Sequence, residues 1–229
     1  MKHWEEFWSI KSQKPVIDNP PKILYGGTYI EPLASIGMSC FLEPVRELFK
    51  DGVSILDYGC GAGILANFIS ERLSDYKYYG LEINSTHGIE RVNIAKEYLT
   101  DDRNYFGLIN EDLSSILKNK IDCVVLISIF THLKIDAVKD IIFNLKPLFE
   151  TNREAKIIFS CFIAEEDTVH NYQPEISEGF YGVSFIREND LVNCCTDNNL
   201  KLSKCSDFIA QGDHVHNIFV IEMGEVGNA

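Results

Sequence analysis

The chain has 229 residues, is 45% hydrophobic and 24% charged, and carries a formal net charge of −13. This length suffices for one sizeable core and leaves little for a second full domain. The acidic balance argues against a protein that grips a phosphate backbone or adheres to anionic lipid. Seven cysteines without Cys-x-x-Cys spacing suggest neither a zinc site nor a disulfide framework, and read as small buried hydrophobes in a reducing compartment. The N-terminus has no signal-peptide core and no apolar run has the length of a membrane span, so a soluble cytoplasmic protein is expected, with no nucleic-acid or membrane partner and no metal.

Residues 1–50 read as an N-terminal helical extension. Trp4, Phe7 and Trp8 fall at i, i+3 and i+4, on one face of a short helix that either packs on the main domain or forms a lid over a substrate pocket. Pro15, Pro20, Pro21 and the pair Gly26-Gly27 interrupt regular structure ahead of Thr28 and Tyr29. Phe41, Leu42, Val45, Leu48 and Phe49 predict an amphipathic helix within 36–50, ended by Asp51-Gly52. Residues 51–229 form the second division, in which strands and helices alternate. Strands are predicted from Val53 and over 76–83, 105–110, 121–129, 155–163, 202–208 and 215–222. Helices are predicted over 64–72, 85–99, 136–149 and 188–198, the second with Ser85 as N-cap. The run 121–129 is too continuously apolar to be half exposed, as in a parallel strand covered on both faces. Residues 165–184 show no periodicity and exceed an ordinary connection, which marks a functional insertion. The pattern predicts a doubly wound, Rossmann-like α/β sheet.

Ligands in such sheets bind beyond the carboxyl ends of the strands, so the residues that close each strand carry the functional argument. The first strand runs into Ile55-Leu56-Asp57-Tyr58-Gly59-Cys60-Gly61-Ala62-Gly63, a strand, a glycine-rich turn and the start of a helix. Glycines at 59, 61 and 63 permit positive φ and a close approach of backbone to ligand, beside the unpaired N–H groups of a new helix. The second strand ends at Glu82, 23 residues beyond Gly59, near the spacing at which an acid takes a ribose hydroxyl pair; a solvated surface carboxylate is the alternative. The third is followed by Glu111-Asp112-Leu113, where Asp112 is either a ligand contact or a helix cap. A nicotinamide or flavin fingerprint needs a glycine at 64, and Ile64 stands there. Asp57 would repel a pyrophosphate and suits a ligand carrying an amine.

The 55–63 segment resembles the first motif of class I S-adenosylmethionine-dependent methyltransferases, and the order of elements is similar to that family from about Val53 to Glu222. The resemblance implies a seven-stranded sheet, mostly parallel with an antiparallel last strand, and S-adenosylmethionine as the cofactor. It implies that the loop from Asp57 through Gly59, Cys60, Gly61 and Gly63 holds the methionine half. Glu82, followed by Ile83, would accept the ribose hydroxyls, and Asp112 with Leu113 would read the adenine; Ser128 completes the expected cofactor set. After the fourth strand the family often carries its chemistry, here Ser128-Ile129-Phe130-Thr131-His132. No Asp/Asn-Pro-Pro-aromatic sequence stands there, and no acidic metal ligand, so the segment is similar to the small-molecule branch. An alcohol nucleophile needs a proton acceptor, for which His132 is the first candidate and His170, in the insertion with Glu175, the second; a structural role for His132 is the alternative. Tyr29, Phe130, Tyr172 and Tyr181 are expected to line the acceptor site. The expected activity is methylation of a small metabolite by a monomer or homodimer. Oxygen methylation of a hydroxyl, on a sugar or phosphorylated metabolite, is the leading reading. Nitrogen methylation of a small amine is the alternative, and a non-catalytic cofactor-binding regulator is a third.

Overall fold

Every residue of strand β1 (Val53–Tyr58) is buried, the pattern of a strand covered on both faces. In this computed structural model the described residues are 24–25, 28–29, 41–164, 184–209 and 215–224. The chain divides into two compact units, Met1–Ile116 and Leu117–Ala229.

In the first unit, β1 leads into α1 (Ile64–Ser70), β2 (Tyr76–Glu82), α2 (Thr86–Tyr98), β3 (Asn104–Leu108) and α3 (Ile109–Ile116). The strands are parallel in the order β3-β2-β1, with Asp57 opposite Gly80 and Glu82 opposite Leu108. Ile55, Leu56, Leu65, Ile69, Tyr78 and Leu81 are among its fully buried side chains. Ser85 caps α2 as its position predicts, its Oγ accepting from the Gly88 N–H at 3.1 Å. Helix α3 begins three residues ahead of Asp112, where the capping alternative would start it; its eight residues follow β3 without a connecting loop, which blurs the change of period. Ahead of β1, Phe41 and Leu42 are α-helical as predicted, and the chain then passes into 3-10 turns over Glu43–Leu48 with a kink at Val45 (φ −127°). Pro44 accounts for the difference: it lacks an N–H and disfavours helical backbone in the residue before it. Leu24–Tyr25 and Thr28–Tyr29 pair as a short antiparallel ladder. The aromatic stripe of Trp4, Phe7 and Trp8 lies outside the described residues.

The second unit holds β4 (Cys123–Leu126), a 3-10 turn (Phe130–His132), α4 (Ile135–Leu145), α5 (Leu148–Thr151), β5 (Lys156–Ile163), β6 (Phe185–Ile186), α6 (Glu188–Thr196), β7 (Leu200–Ile209) and β8 (Val215–Met223). Its strands run in the order β4-β5-β8-β7, with β6 beside the end of β5. β4 is parallel to β5, and β8 is antiparallel to both β5 and β7. The helix predicted over 136–149 is divided at Pro147, which ends α4 and starts α5. Phe130, Phe159 and Phe219 form an aromatic core, with ring centroids 4.7 and 5.5 Å apart along the series. Within the first unit the three strands β1, β2 and β3 alternate with helices and are all parallel; within the second, β8 is the strand that runs against β5 and β7, and no described helix separates β7 from β8. This is the Rossmann-like, doubly wound α/β fold that the sequence pattern predicts. Among the described residues no helix is long and apolar enough to cross a membrane.

Candidate functional site

The turn after β1 is tied down from its first residue. The Gly59 and Cys60 N–H groups donate to the Leu81 carbonyl at 2.7 and 3.0 Å, which fastens the turn to the end of β2. Gly59, Gly61 and Gly63 all take left-handed backbone, with φ of 85°, 56° and 86°. Gly63 has a second constraint, because it opens α1 where the helix passes close to its neighbours. A Cβ there would stand 2.4 Å from Leu99 Cδ1 and 3.2 Å from Phe106 Cε1. The third glycine thus permits close helix packing, the role that a dinucleotide fingerprint assigns to a glycine one residue later.

Two carboxylates meet this turn. Glu82 is 5% exposed, and its oxygens are divided: Oε2 accepts from the Gly61 N–H at 2.7 Å and Oε1 from the Ile83 N–H at 2.9 Å. The reading of Glu82 as a solvated surface acid is therefore set aside. A carboxylate offers about four acceptor positions, so two remain after these bonds, a match for a pair of neighbouring hydroxyls. Asp57, also 5% exposed, accepts a 2.5 Å bond from the Tyr78 hydroxyl. Burial pushes its carboxyl up to about 7; the Tyr78 bond opposes that rise and the Glu82 charge adds to it. Cys60 is buried beside both acids, and burial followed by their charges holds its thiol well above the ordinary range, in the neutral form.

Asp112 lies in the first turn of α3 and reaches back to the strand end, where its Oδ2 accepts from the Leu108 N–H at 2.8 Å. Gly107 makes room for it, since a Cβ there would be 2.3 Å from that oxygen. Asp112 is therefore not the N-cap residue, since the helix starts at Ile109; its side chain instead satisfies the N–H just ahead of the helix, and the half-buried carboxylate keeps further acceptor positions. Leu113 is half-buried beside it, and Asn84 donates to Glu111 at 3.2 Å from the residues that follow β2. The first unit therefore brings together Asp57, Gly59, Cys60, Gly61, Gly63, Glu82 and Ile83, with Asp112 and Leu113 at the end of the neighbouring strand.

In the second unit, β4 stops at Leu126 and the apolar run continues into a turn, because Ser128 adopts φ 55°, a left-handed conformation uncommon outside glycine. The turn is held by the Ser128 N–H donating to Ser160 Oγ at 2.9 Å and by Thr131 Oγ1 donating to the Ser128 carbonyl at 2.9 Å. The Ser184 N–H donates to the Thr131 carbonyl at 2.8 Å, so the end of the long insertion is anchored on the same turn. His132 is half-buried at its close. Phe130, expected at the acceptor site, is 0% exposed and packs on Phe159 in the core. Tyr29 belongs to the short ladder described above, while His170, Tyr172, Glu175 and Tyr181 lie outside the described residues. Sequence reasoning passed over Tyr78 and Ser160. For Tyr78 the signal was present: residues 78, 80 and 82 share one face of β2, so a tyrosine two residues before a glycine has room to lie toward Asp57.

No protein-family model matches the sequence, and no curated protein matches it. Solved structures do match in fold. A magnesium protoporphyrin IX methyltransferase from Synechocystis, determined with bound S-adenosylmethionine, is 17% identical with a TM-score of 0.54, over 83% of this chain and 78% of that one. An S-adenosylmethionine-dependent methyltransferase from Methanosarcina mazei is 17% identical with a TM-score of 0.56, over 79% and 97%. A cyclopropane-fatty-acyl-phospholipid synthase-like protein from Lactobacillus casei is 13% identical with a TM-score of 0.62, over 85% and 92%. The fold is thus the one expected from the 55–63 motif.

Proposed function

We propose that this chain is an S-adenosylmethionine-dependent methyltransferase acting on a small metabolite, with oxygen methylation of a hydroxyl as the leading reaction. The observation that carries the reading is the pair of buried acids on one glycine turn: Glu82 with both oxygens on backbone N–H groups and acceptor capacity left over, and Asp57 at the start of the turn. This donor and acceptor set fits a ligand that combines a vicinal diol with an amine. Glu82 would hold the ribose, the turn from Asp57 to Gly63 the methionine half, and Asp112 with Leu113 the adenine edge.

The cofactor, when bound, supplies an electrophilic methyl group on a sulfonium. The contribution of the chain is to position the ligand, keep water out and, for an alcohol acceptor, take up a proton. We assign that proton to His132, which is held at the end of a turn whose backbone is fixed by Ser128, Thr131 and Ser160. The net charge of −13 supports a second reading, methylation of a cationic amine, which needs little help from a base once the amine is neutral. The test is calorimetric titration with S-adenosylhomocysteine, followed by transfer of labelled methyl groups to a panel of small alcohols and amines. Binding with transfer to an alcohol supports the leading reading, and transfer to amines alone supports the second. Binding without transfer to either class supports a non-catalytic regulator, and absence of binding refutes all three.

A further inference from the structure

The Asp57 carboxylate does not sit alone at the start of the glycine turn. Tyr78 lies on β2 opposite Ile55, two residues away from the position that faces Asp57. That position is Gly80, and the tyrosine uses the space. A Cβ at Gly80 would stand 2.9 Å from Tyr78 Cε1 and 2.7 Å from Phe106 Cδ1. The ring is completely buried, lies 5.6 Å from the Phe106 ring, and ends in the 2.5 Å hydroxyl bond to Asp57 Oδ2. Alternate positions on one face of a strand thus carry a ring, a gap and an acid: Tyr78 spans Gly80 toward Asp57, and Glu82 follows at the strand end.

We propose that Tyr78 is a positioning residue for cofactor binding, whose hydroxyl aims the Asp57 carboxylate at the amino group of the ligand's amino-acid half. The inference rests on the methyltransferase reading above. A hydroxyl donating to one oxygen leaves the other free to accept from an ammonium group, and restrains the carboxylate against rotation. The groups that face Asp57 are Tyr78 and Glu82 from β2 and Cys60 from the turn, and Arg91 of α2 acts on Cys60. Burial and the surrounding acids hold the Tyr78 hydroxyl well above its ordinary range, so it stays protonated and remains a donor. Burial first and the Glu82 charge after it favour a neutral Asp57; the Tyr78 bond favours the ionised one that an ammonium requires.

Tyr78→Phe removes one oxygen atom and leaves the packing on Phe106 in place. The bond it deletes lowers the Asp57 pKa, so its loss raises that pKa and leaves more neutral Asp57 near neutrality. The probes are S-adenosylhomocysteine, which has the amino-acid half, and 5′-methylthioadenosine, which lacks it. At about pH 6.5 the variant should bind S-adenosylhomocysteine about tenfold more weakly than the wild type, with the part of the deficit due to protonation recovered at about pH 8.5 and the part due to lost aim remaining. Binding of 5′-methylthioadenosine should be unchanged at both. In an Asp57→Asn background, which itself selectively weakens S-adenosylhomocysteine, adding Tyr78→Phe should change nothing further. Parallel weakening of both probes would mean a general structural role and overturn the proposal. So would unaltered S-adenosylhomocysteine binding at both pH values, or an undiminished Tyr78→Phe effect without Asp57. A wild-type protein that binds neither probe overturns the methyltransferase reading along with this one, an outcome distinct from a wild type that binds and a variant that matches it.

Discussion

Replacing Glu82 with Gln separates its two jobs, tying the glycine turn and receiving a ligand. The side chain keeps its size, but only one of its two terminal atoms can still accept. Either the Gly61 or the Ile83 N–H, now bonded at 2.7 and 2.9 Å, would face an amide NH2, donor against donor, at a site where the residue is 5% exposed and water cannot readily substitute. Stranding one buried N–H costs about 1–3 kcal/mol, and the surviving bond loses its charge assistance. For a chain of this size each kcal/mol lowers Tm by roughly 2–4 °C, so thermal unfolding should move down measurably. The bonds from Gly59 and Cys60 to the Leu81 carbonyl persist, which keeps the start of the turn in place. Calorimetry with S-adenosylhomocysteine should show at least about a tenfold loss of affinity, or about 1.4 kcal/mol, because the ribose hydroxyls would meet a neutral amide. A lowered Tm with unchanged affinity would reduce Glu82 to a structural tie and refute its place in the cofactor site. No change in either would refute the contact argument itself.

Gly63→Ala should destabilise the chain by roughly 2 kcal/mol in urea unfolding, since a Cβ meets Leu99 and Phe106 at a left-handed backbone position; wild-type stability would show that α1 can shift without cost. Asp57→Asn should become relatively more stabilising as pH rises. The folded Asp57 pKa, about 7, lies above its unfolded value, so the native state gives up its proton late and loses stability between about pH 4 and about pH 7. The asparagine variant escapes that loss, and its advantage in urea unfolding should be larger at about pH 8 than at about pH 5; an equal difference at both would refute the raised pKa. His132→Ala should lower turnover more than substrate affinity if the acceptor is an alcohol. Wild-type turnover would dismiss His132 as the base.

Much of the glycine turn and its acids was legible along the chain. The turn from Asp57 to Gly63 and the acid at Glu82 depend on local backbone demands and on strand length, both of which leave marks at fixed spacing. Ser85 was recognisable for the same reason, since a cap acts within one helical turn. Local chemistry also explains some departures: Pro44 and Pro147 were visible in the sequence, and their effects on the predicted helices follow from the missing N–H. The surroundings of the turn after β4 were less legible, with Phe130 expected at a ligand and found in the aromatic core.

What the sequence determined by itself was the alternation that builds the α/β fold, and the residue types on the glycine turn. Strand periodicity and positive-φ glycines are properties of neighbours along the chain. Tertiary structure alone decided which partners those residues take. It divided the Glu82 oxygens between Gly61 and Ile83, brought Tyr78 across the gap at Gly80 to Asp57, and joined Ser128 to Ser160, 32 residues away. Each of these bonds depends on strand register and burial, which arise only when separate segments pack together.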